Sequence, residues 1–253
     1  MCSSQLQVVN KSYQNNRISY IIETPGSHSS YATAMMIDLT HTLTTSTEAP
    51  MSIWPGHPTL EMTKVATIPE QNANVTLISL GSHTGTHIDA PNHFIADGLT
   101  VDKYDLTKLV GRALVVDVRG KKAREMITWE DMQKWEGEMH EGVIVLICTG
   151  WSQYWGKENY EEHPFMDLDA AKKLMETGVR VIGCDTLSPD NICSPECKVH
   201  KVILGAGGMI AENLRGIEEV LALKNPIVSL LPLKLDSCDG SPIRAIAWSA
   251  GDI

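Results

Sequence analysis

The sequence has no apolar run long enough for a membrane span. No stretch of its 253 residues approaches the roughly 20 consecutive apolar residues that a spanning helix needs. The amino-terminal run MCSSQLQVVNKSYQNN also has no apolar core of a signal peptide. These two absences predict a cytoplasmic protein without membrane contact.

Positive charge is scarce. Lys and Arg number 21 against 31 Asp and Glu, which gives a formal net charge of -10. A field of this sign repels phosphate backbones and anionic membrane surfaces. Nucleic acid is therefore not an expected partner, and a small-molecule substrate is.

Regularly spaced cysteines are absent, because none of the six cysteines belongs to a CxxC pair. We expect reduced thiols. Cys193 and Cys197 have the spacing closest to a metal pair, but a thiolate zinc site needs two further ligands at suitable spacing. We therefore interpret Cys193 and Cys197 as two loop cysteines.

Two common catalytic loops are also missing. The GAGG run at Gly205 to Gly208 has no GxGxxG or GK[ST] pattern around it, which argues against a phosphate loop. Gly150-Trp151-Ser152 lacks the GxSxG elbow of serine hydrolases. A serine-triad mechanism is therefore disfavoured.

No linker composition or internal repeat divides the chain. Residues 1–33 are polar and without clear period, and we interpret them as an amino-terminal arm in which Ile18 to Ile22 forms an edge strand. Residues 34–253 are interpreted as one domain.

Apolar runs rich in β-branched residues alternate with helical patterns after the arm. The predicted strands are Met36 to Leu39, Val75 to Leu80, Ala113 to Val118, Val143 to Cys148, Val179 to Cys184 and Ile227 to Leu235. The predicted helices are a segment opening at the Thr128 and Asp131 capping box, a segment from Leu168 to Thr177 before Gly178, and a segment from Ala211 to Leu223. Strands and helices mixed in this way indicate an α/β protein.

Three of the nine histidines and one aspartate fall within the run HTGTHIDAPNH, from His83 to His93. Positions 83, 87, 89 and 93 share one parity, so an extended segment would project all four side chains to one side. A helix would spread them around its axis, and Gly85 and Pro91 oppose helix continuation. We therefore place the cluster on a strand that ends in a loop near Pro91.

Neutral imidazole and carboxylate ligands suit Zn²⁺ and Mn²⁺, and three protein ligands leave a position open for water or substrate. His83, His87 and Asp89 are the predicted metal ligands. His93 is the predicted general base, which then serves as acid toward the leaving group. A single histidine of this kind is more often structural, but four such side chains at these spacings favour metal-assisted hydrolysis.

At these residues the chain resembles the cyclase family of bacterial-type kynurenine formamidases and isatin hydrolases, whose signature is HxGTHxDxPxH. The run HTGTHIDAPNH fits at every fixed position. Further matching runs are WPGHP, TGWSQYW, GCDTLSPD, AENL and GSPIRAIA, so the resemblance extends over roughly Asp38 to Ala247.

The resemblance implies a swivelling β/β/α fold that forms homodimers or homotetramers. It also implies that His200 and Glu212 help to hold a second metal, while the isatin hydrolase branch implies a single manganese. One or two divalent ions, Zn²⁺ or Mn²⁺, are therefore expected. Without the resemblance, His200 would be interpreted as a surface histidine and Glu212 as a first-turn helix acid.

Several other residues have open interpretations. Trp54 and His57 are candidate substrate-binding residues, although Trp54 before Pro-Gly is equally compatible with plain turn packing, and many relatives carry an acid where this chain has His57. Ser188 and Asp190 either hydrogen-bond to the ligands or form a turn. Asp185 and Arg244 form either a buried ion pair or a carboxylate-binding device.

The expected function is hydrolysis of a C–N bond in an aryl formamide or cyclic amide, such as N-formylkynurenine or isatin, by metal-activated water. Two alternatives remain. One is cyclase or lactone chemistry on a polyketide-like acid. The other is a catalytically silent metal-binding scaffold, against which the presence of His93 beside the ligands argues.

Overall fold

The computed structural model describes residues 7–14, 17–23 and 36–251. Most of the predicted arm over residues 1–33 lies outside them, although its strand over Ile18 to Ile22 is confirmed within a longer strand. The described residues form the strands β1 (Gln7–Gln14), β2 (Arg17–Glu23), β3 (Met36–Asp38), β4 (Glu61–Ala66), β5 (Val75–Ser79), β6 (His87–Asp89), β7 (Val110–Asp117), β8 (Met126–Ile127), β9 (Val143–Cys148), β10 (Phe165–Met166), β11 (Val181–Cys184), β12 (Met209–Glu212), β13 (Pro226–Ser229), β14 (Gly240–Pro242) and β15 (Ile246–Ser249). The α-helices within these ranges are α1 (Trp129–Met132), α2 (Leu168–Glu176), α3 (Lys198–Gly205) and α4 (Ile217–Val220).

Eleven strands form one mixed sheet in the order β1-β2-β3-β15-β13-β7-β9-β11-β12-β6-β14. The central strands β7, β9, β11 and β12 run parallel. The strands on either side of these four pair antiparallel. The predicted edge strand is therefore the second strand of the sheet, since β1 covers its outer side.

The sheet is buried on both faces at its centre. Along β9, Ile144 and Leu146 face one core while Val145 and Ile147 face the other. The second of these cores includes the apolar stripes of α2 and α3, and the first includes side chains from β3 near one end of the sheet and β6 near the other. A single core shared by strands so far apart in the order requires a curled sheet, and the α/β class is confirmed.

Two helix predictions are confirmed. Thr128 and Asp131 form the predicted capping box at the start of α1, and α2 ends one residue before Thr177. Gly178 then has a φ of +96°, which a glycine adopts without strain.

The predicted helix from Ala211 to Leu223 is wrong. Met209–Glu212 is a strand paired with β11 on one side and β6 on the other, and only Ile217–Val220 is helical. Sheet pairing on both sides satisfies the backbone of this apolar segment, which overrides its helical spacing. Glu212 therefore ends a buried strand and is not a first-turn helix acid.

The structure also shows the partners of Asp185 and Arg244 and the state of the cysteines. Arg244 pairs with Asp38 at 2.7 and 2.8 Å, which excludes one of the two alternatives, an ion pair between Asp185 and Arg244. Asp185 instead accepts hydrogen bonds from Thr149 and from the backbone of Gly150. All five cysteines in the described part of the chain are free thiols.

None of the helices in the described ranges is long and apolar enough to cross a membrane.

Candidate metal centre and active site

The motif HTGTHIDAPNH forms a turn, a short strand and a 3-10 turn. The strand β6 ends before Pro91, as predicted, but it carries only His87 and Asp89, so the prediction that the strand carries the whole cluster is wrong. His83 lies in the preceding turn, and His93 ends the 3-10 turn Pro91–His93. The two turns still bring His83 and His93 together, with their ring centroids 3.9 Å apart.

Two small residues of this motif, Gly85 and Thr86, shape the turn that precedes β6. Gly85 has a φ of +67°, a left-handed conformation that other residues adopt with strain. Its carbonyl accepts hydrogen bonds from His87 Nδ1 at 2.8 Å and from Asn213 Nδ2 at 3.0 Å. Because His87 donates from Nδ1, its Nε2 carries the lone pair whenever the ring is neutral. The Thr86 hydroxyl donates to the backbone of Asn213 at 2.6 Å, which fixes this turn against the end of β12.

Two sequence-distant side chains complete the cluster. His200 lies in the first turn of α3, and Glu212 ends β12 directly opposite His87 in the register of the sheet. His87 Nε2 lies 3.3 Å from Asp89 Oδ1 and 3.3 Å from Glu212 Oε2. His200 Nε2 lies 3.3 Å from Asp89 Oδ2 and 3.2 Å from Glu212 Oε1.

Asp190 orients His200. Its carboxylate accepts the His200 Nδ1 proton at 2.7 Å and the backbone N–H groups of Val199 and His200, each at 2.9 Å. One side chain thereby caps α3 and turns Nε2 of the imidazole toward the cluster. Ser188 contributes indirectly, since its hydroxyl accepts the backbone N–H of Asp190.

The cluster has the chemistry of a cation site. His87 Nε2, Asp89 Oδ2 and Glu212 Oε1 are buried and make no hydrogen bond to any described residue. Buried polar atoms without partners are costly, so several of them facing one another indicate a ligand that satisfies them all. The donor atoms of His83, His87 and Asp89 lie within 4.8 Å of one another, as do those of Asp89, His93 and His200. Imidazole and carboxylate are suitable donors for a divalent transition metal.

The comparisons with known proteins agree with this chemistry. The family model described as Putative cyclase matches residues 37–191, more than half of the chain. The chain belongs to the cyclase family. It is 32% identical over 200 residues to a kynurenine formamidase of Delftia acidovorans, covering 79% of this chain and 92% of the relative. A kynurenine formamidase of Geobacillus thermodenitrificans is 33% identical over 202 residues, with 79% and 92% covered.

Solved structures give the same result. Isatin hydrolase A from Labrenzia aggregata, bound to benzyl benzoate, superposes with a TM-score of 0.75 at 26% identity, over 85% of this chain and 94% of the other. A potential metal-dependent hydrolase with cyclase activity superposes with a TM-score of 0.66 at 27% identity, over 85% and 98%. This cyclase-family protein is accordingly a metal-dependent hydrolase, and its cofactor is a divalent metal.

The electrostatics of the cyclase-family site favour a cation. Burial by itself lowers the pKa of His87, but Asp89 and Glu212 outweigh this effect and raise it to about 10. Burial likewise opposes protonation of His83, yet Asp239 and Asp89 raise its pKa to about 9. The carboxylates that hold protons on these imidazoles attract a metal at the same place, so metal and protons compete there.

His93 has the opposite behaviour. Burial lowers its pKa below the usual histidine value, and this effect outweighs the nearby Asp89. A histidine whose pKa lies below 6.5 is mostly neutral at pH 7 and able to accept a proton. The lowered pKa of His93 thus distinguishes it from His83 and His87, whose pKa values the nearby carboxylates raise.

A cavity opens onto the cluster. Its walls include both candidate substrate-binding residues, Trp54 and His57, whose rings lie 6.4 Å apart. The His57 ring lies 5.7 Å from that of His83. The remaining wall residues away from the cluster are Ser52, Phe94, Leu187, Ser188, Cys197 and Asn213. A mostly apolar, partly aromatic wall beside a metal cluster is typical of a site for a small planar molecule.

Sequence reasoning did not identify Phe94, Asn213 or Asp239. Phe94 follows His93 and packs against the rings of His93 and His200. Asn213 follows Glu212 and has a φ of +56°, which explains why an asparagine is tolerated there. Asp239 precedes the run GSPIRAIA, and its carboxylate contacts His83 at 2.9 Å and His93 at 3.4 Å. An acid followed by glycine is a weak signal, because the pair is common in ordinary turns.

Proposed function

We propose that this protein hydrolyses the C–N bond of an aryl formamide or a cyclic amide. The observation that carries the proposal is the convergence of buried, unpartnered imidazole and carboxylate atoms beside a neutral histidine at the end of an aromatic cavity. A bound divalent metal supplies Lewis acidity there, polarising a carbonyl and lowering the pKa of water. The protein supplies the metal ligands, the histidine that transfers the proton and the aromatic lining of the cavity.

The proposed ligands are His83, His87 and Asp89, together with His200 and Glu212. The oxygens of Asp89 divide the cluster, since Oδ1 faces His83 and His87 while Oδ2 faces His200. The oxygens of Glu212 divide in the same way between His87 and His200. Because both carboxylates are shared between His87 and His200, the cluster can hold two ions. The donor types suit Zn²⁺ or Mn²⁺.

His93 is the proposed general base and acid. Its neutral imidazole takes a proton from the attacking water and returns it to the departing nitrogen. It lies at the cavity wall with its side chain 21% exposed, so substrate and water both reach it. Expulsion of an amine nitrogen requires such a proton, and His93 is the titratable cavity residue with a depressed pKa nearest to His83.

The aromatic wall supports a planar substrate. Trp54 and Phe94 offer π-faces and edges to an aryl ring, while His57 offers a polar contact. N-formylkynurenine and isatin each place a hydrolysable C–N bond next to an aromatic ring. We propose these two molecules, or close analogues, as substrates.

A substrate panel tests the proposal. Metal-loaded protein is assayed on N-formylkynurenine, isatin, simple aryl formamides and small lactones. One nitrogen-containing member should be turned over with kcat/KM of about 10⁴ M⁻¹s⁻¹ or more, and the others far more slowly. Efficient turnover of a lactone or polyketide acid alone would replace the amidase assignment with cyclase chemistry. Absence of turnover in fully metallated protein would indicate a silent scaffold.

We also propose that the protein is a homodimer or homotetramer and that the β4 and β5 hairpin lies in the interface. Six large apolar side chains on this hairpin and its connection are between 40% and 62% exposed: Met62, Val65, Ile68, Val75, Leu77 and Ile78. Leu77 and Ile78 are adjacent, so both faces of the ribbon are apolar. Exposed apolar patches of this kind mark protein interfaces, and a second copy is the proposed occupant.

Sedimentation of a hairpin variant tests the interface. Leu77→Asp should shift the protein to a smaller species, because burying an unpaired carboxylate in an apolar interface is unfavourable. Leu99→Asp is the matched control, since Leu99 is 52% exposed and lies outside the hairpin. An unchanged sedimentation coefficient for Leu77→Asp would exclude the hairpin from the interface.

A further inference from the structure

Asp239 lies where two functional histidines meet. It is in the loop between β13 and β14, and its Oδ2 lies 2.9 Å from His83 Nε2 and 3.4 Å from His93 Nδ1. The backbone of this loop is fixed, because the Asp239 carbonyl accepts the N–H of Ala90 at 2.9 Å. The carboxylate therefore reaches both imidazoles from a loop that is hydrogen-bonded to the motif segment.

The close approach of this loop depends on Gly240. A Cβ at that position would lie 2.8 Å from His83 Cε1 and 3.0 Å from the Ile88 carbonyl oxygen. Real side chains do not approach so closely, so glycine is required for Asp239 to reach His83. The His83 ring also lies against the ring of His93, with the two centroids 3.9 Å apart. The imidazole is thus close to both the Gly240 backbone and a second imidazole.

The two nitrogens of His83 face different carboxylates. Nδ1 lies 2.7 Å from Asp89 Oδ1, within the cluster, and Nε2 lies 2.9 Å from Asp239 Oδ2, outside it. A neutral imidazole donates through one nitrogen only. With the proton on Nε2 and donated to Asp239, the Nδ1 lone pair points to the cluster, as a metal ligand requires.

We propose that Asp239 is a positioning residue that fixes the tautomer and ring orientation of His83 and, through its second contact, the position of His93. The inference rests on the proposed role of His83 as a ligand. Asp239 acts on the site as Asp190 does on His200, with a carboxylate behind the imidazole. It differs in touching the proposed base as well, so it links metal binding to proton transfer.

The competing explanation is an incidental surface ion pair. The Asp239 side chain is 37% exposed, and exposed pairs contribute little. The two explanations differ in what they predict for metal affinity. An orienting carboxylate behind a metal-bound histidine typically changes metal affinity or activity by about 10- to 100-fold. An incidental pair changes neither.

Metal affinity of three variants decides between them. Asp239→Asn keeps the shape and one oxygen but loses the charge, and Asp239→Ala removes the acceptor. Asp236→Asn is the matched control, because Asp236 is exposed in the same loop and loses the same charge. Metal-free proteins are titrated with Zn²⁺ or Mn²⁺ in competition with a chromophoric chelator, and kcat and KM are measured at saturating metal.

We expect Asp239→Asn to weaken metal binding about 10-fold and Asp239→Ala up to about 100-fold, with lower kcat and little change in KM. Asp236→Asn should behave as wild type. Circular dichroism checks folding, and if Asp239→Ala does not fold, Asp239→Asn alone decides. Metal affinity and kcat of Asp239→Asn equal to those of Asp236→Asn would overturn the inference. The chelator titration needs no substrate, so failure of every proposed substrate would leave this result independent.

Discussion

Replacing His87 by alanine should leave the protein without bound metal and without activity. Its side chain is 3% exposed and lies between Asp89 and Glu212, with Nε2 at 3.3 Å from an oxygen of each. Loss of this donor removes the imidazole that faces Asp89 Oδ1 and Glu212 Oε2. Because the metal supplies the catalytic power, the rate should fall toward background, a loss on the order of 10⁶-fold or more.

Elemental analysis and initial rates measure the two effects on the same preparation. The matched control is His140→Ala, since His140 is exposed and outside the cavity, and it should keep both metal and rate. Treating wild-type protein with a chelator should reproduce the loss of activity, and added Zn²⁺ or Mn²⁺ should reverse it. Full activity in a metal-free preparation, from either route, would contradict metal-dependent catalysis.

Replacing His93 by alanine should separate catalysis from metal binding. The variant should retain most of its metal while its rate falls by about 10² to 10⁴, the usual contribution of a positioned acid or base. The expected difference from His87→Ala has a structural reason. His93 Nδ1 contacts Asp239, whereas the nitrogens of His87 face Gly85 and the carboxylates of the cluster.

Metal content and single-turnover rate are the measurements for His93→Ala, with His140→Ala again as control. The cluster does permit another role, because donor atoms of His93 lie within 4.8 Å of those of Asp89 and His200. Equal metal loss in His93→Ala and His87→Ala would therefore make His93 a ligand and would require a different base.

The sequence predicted which side chains form the central cluster, but it did not predict the backbone conformation that brings them together. Grouping His83, His87, Asp89 and His93 required only residue type and spacing, and the structure does bring them together. The shared-parity argument applied only to His87 and Asp89, since a period of two holds only within the three residues of β6. Gly85 and Pro91 turn the chain on either side, and these turns bring the outer histidines back toward each other.

The distant half of the site was beyond local sequence rules. His200 lies on α3, which apolar spacing did not indicate, and Glu212 lies on a strand that was predicted as helix. Both were proposed only through the resemblance. The pairing of β12 with β11 and β6 decides their positions, and such long-range contacts leave no periodic trace in the chain. Asp239 was missed for the same reason.

The three residues of β6 are held between β12 and β14, with Glu212 opposite His87 on one side and Gly240 opposite Asp89 on the other. A segment this short has no stability of its own, so the donor set exists only when distant parts of the chain have folded around it. The metal is then a ligand of the folded state alone. Its free concentration sets thermal stability by mass action, adding about 2.7 kcal/mol at one hundred times Kd. Removal of the metal should therefore lower the melting temperature of this protein as well as its turnover.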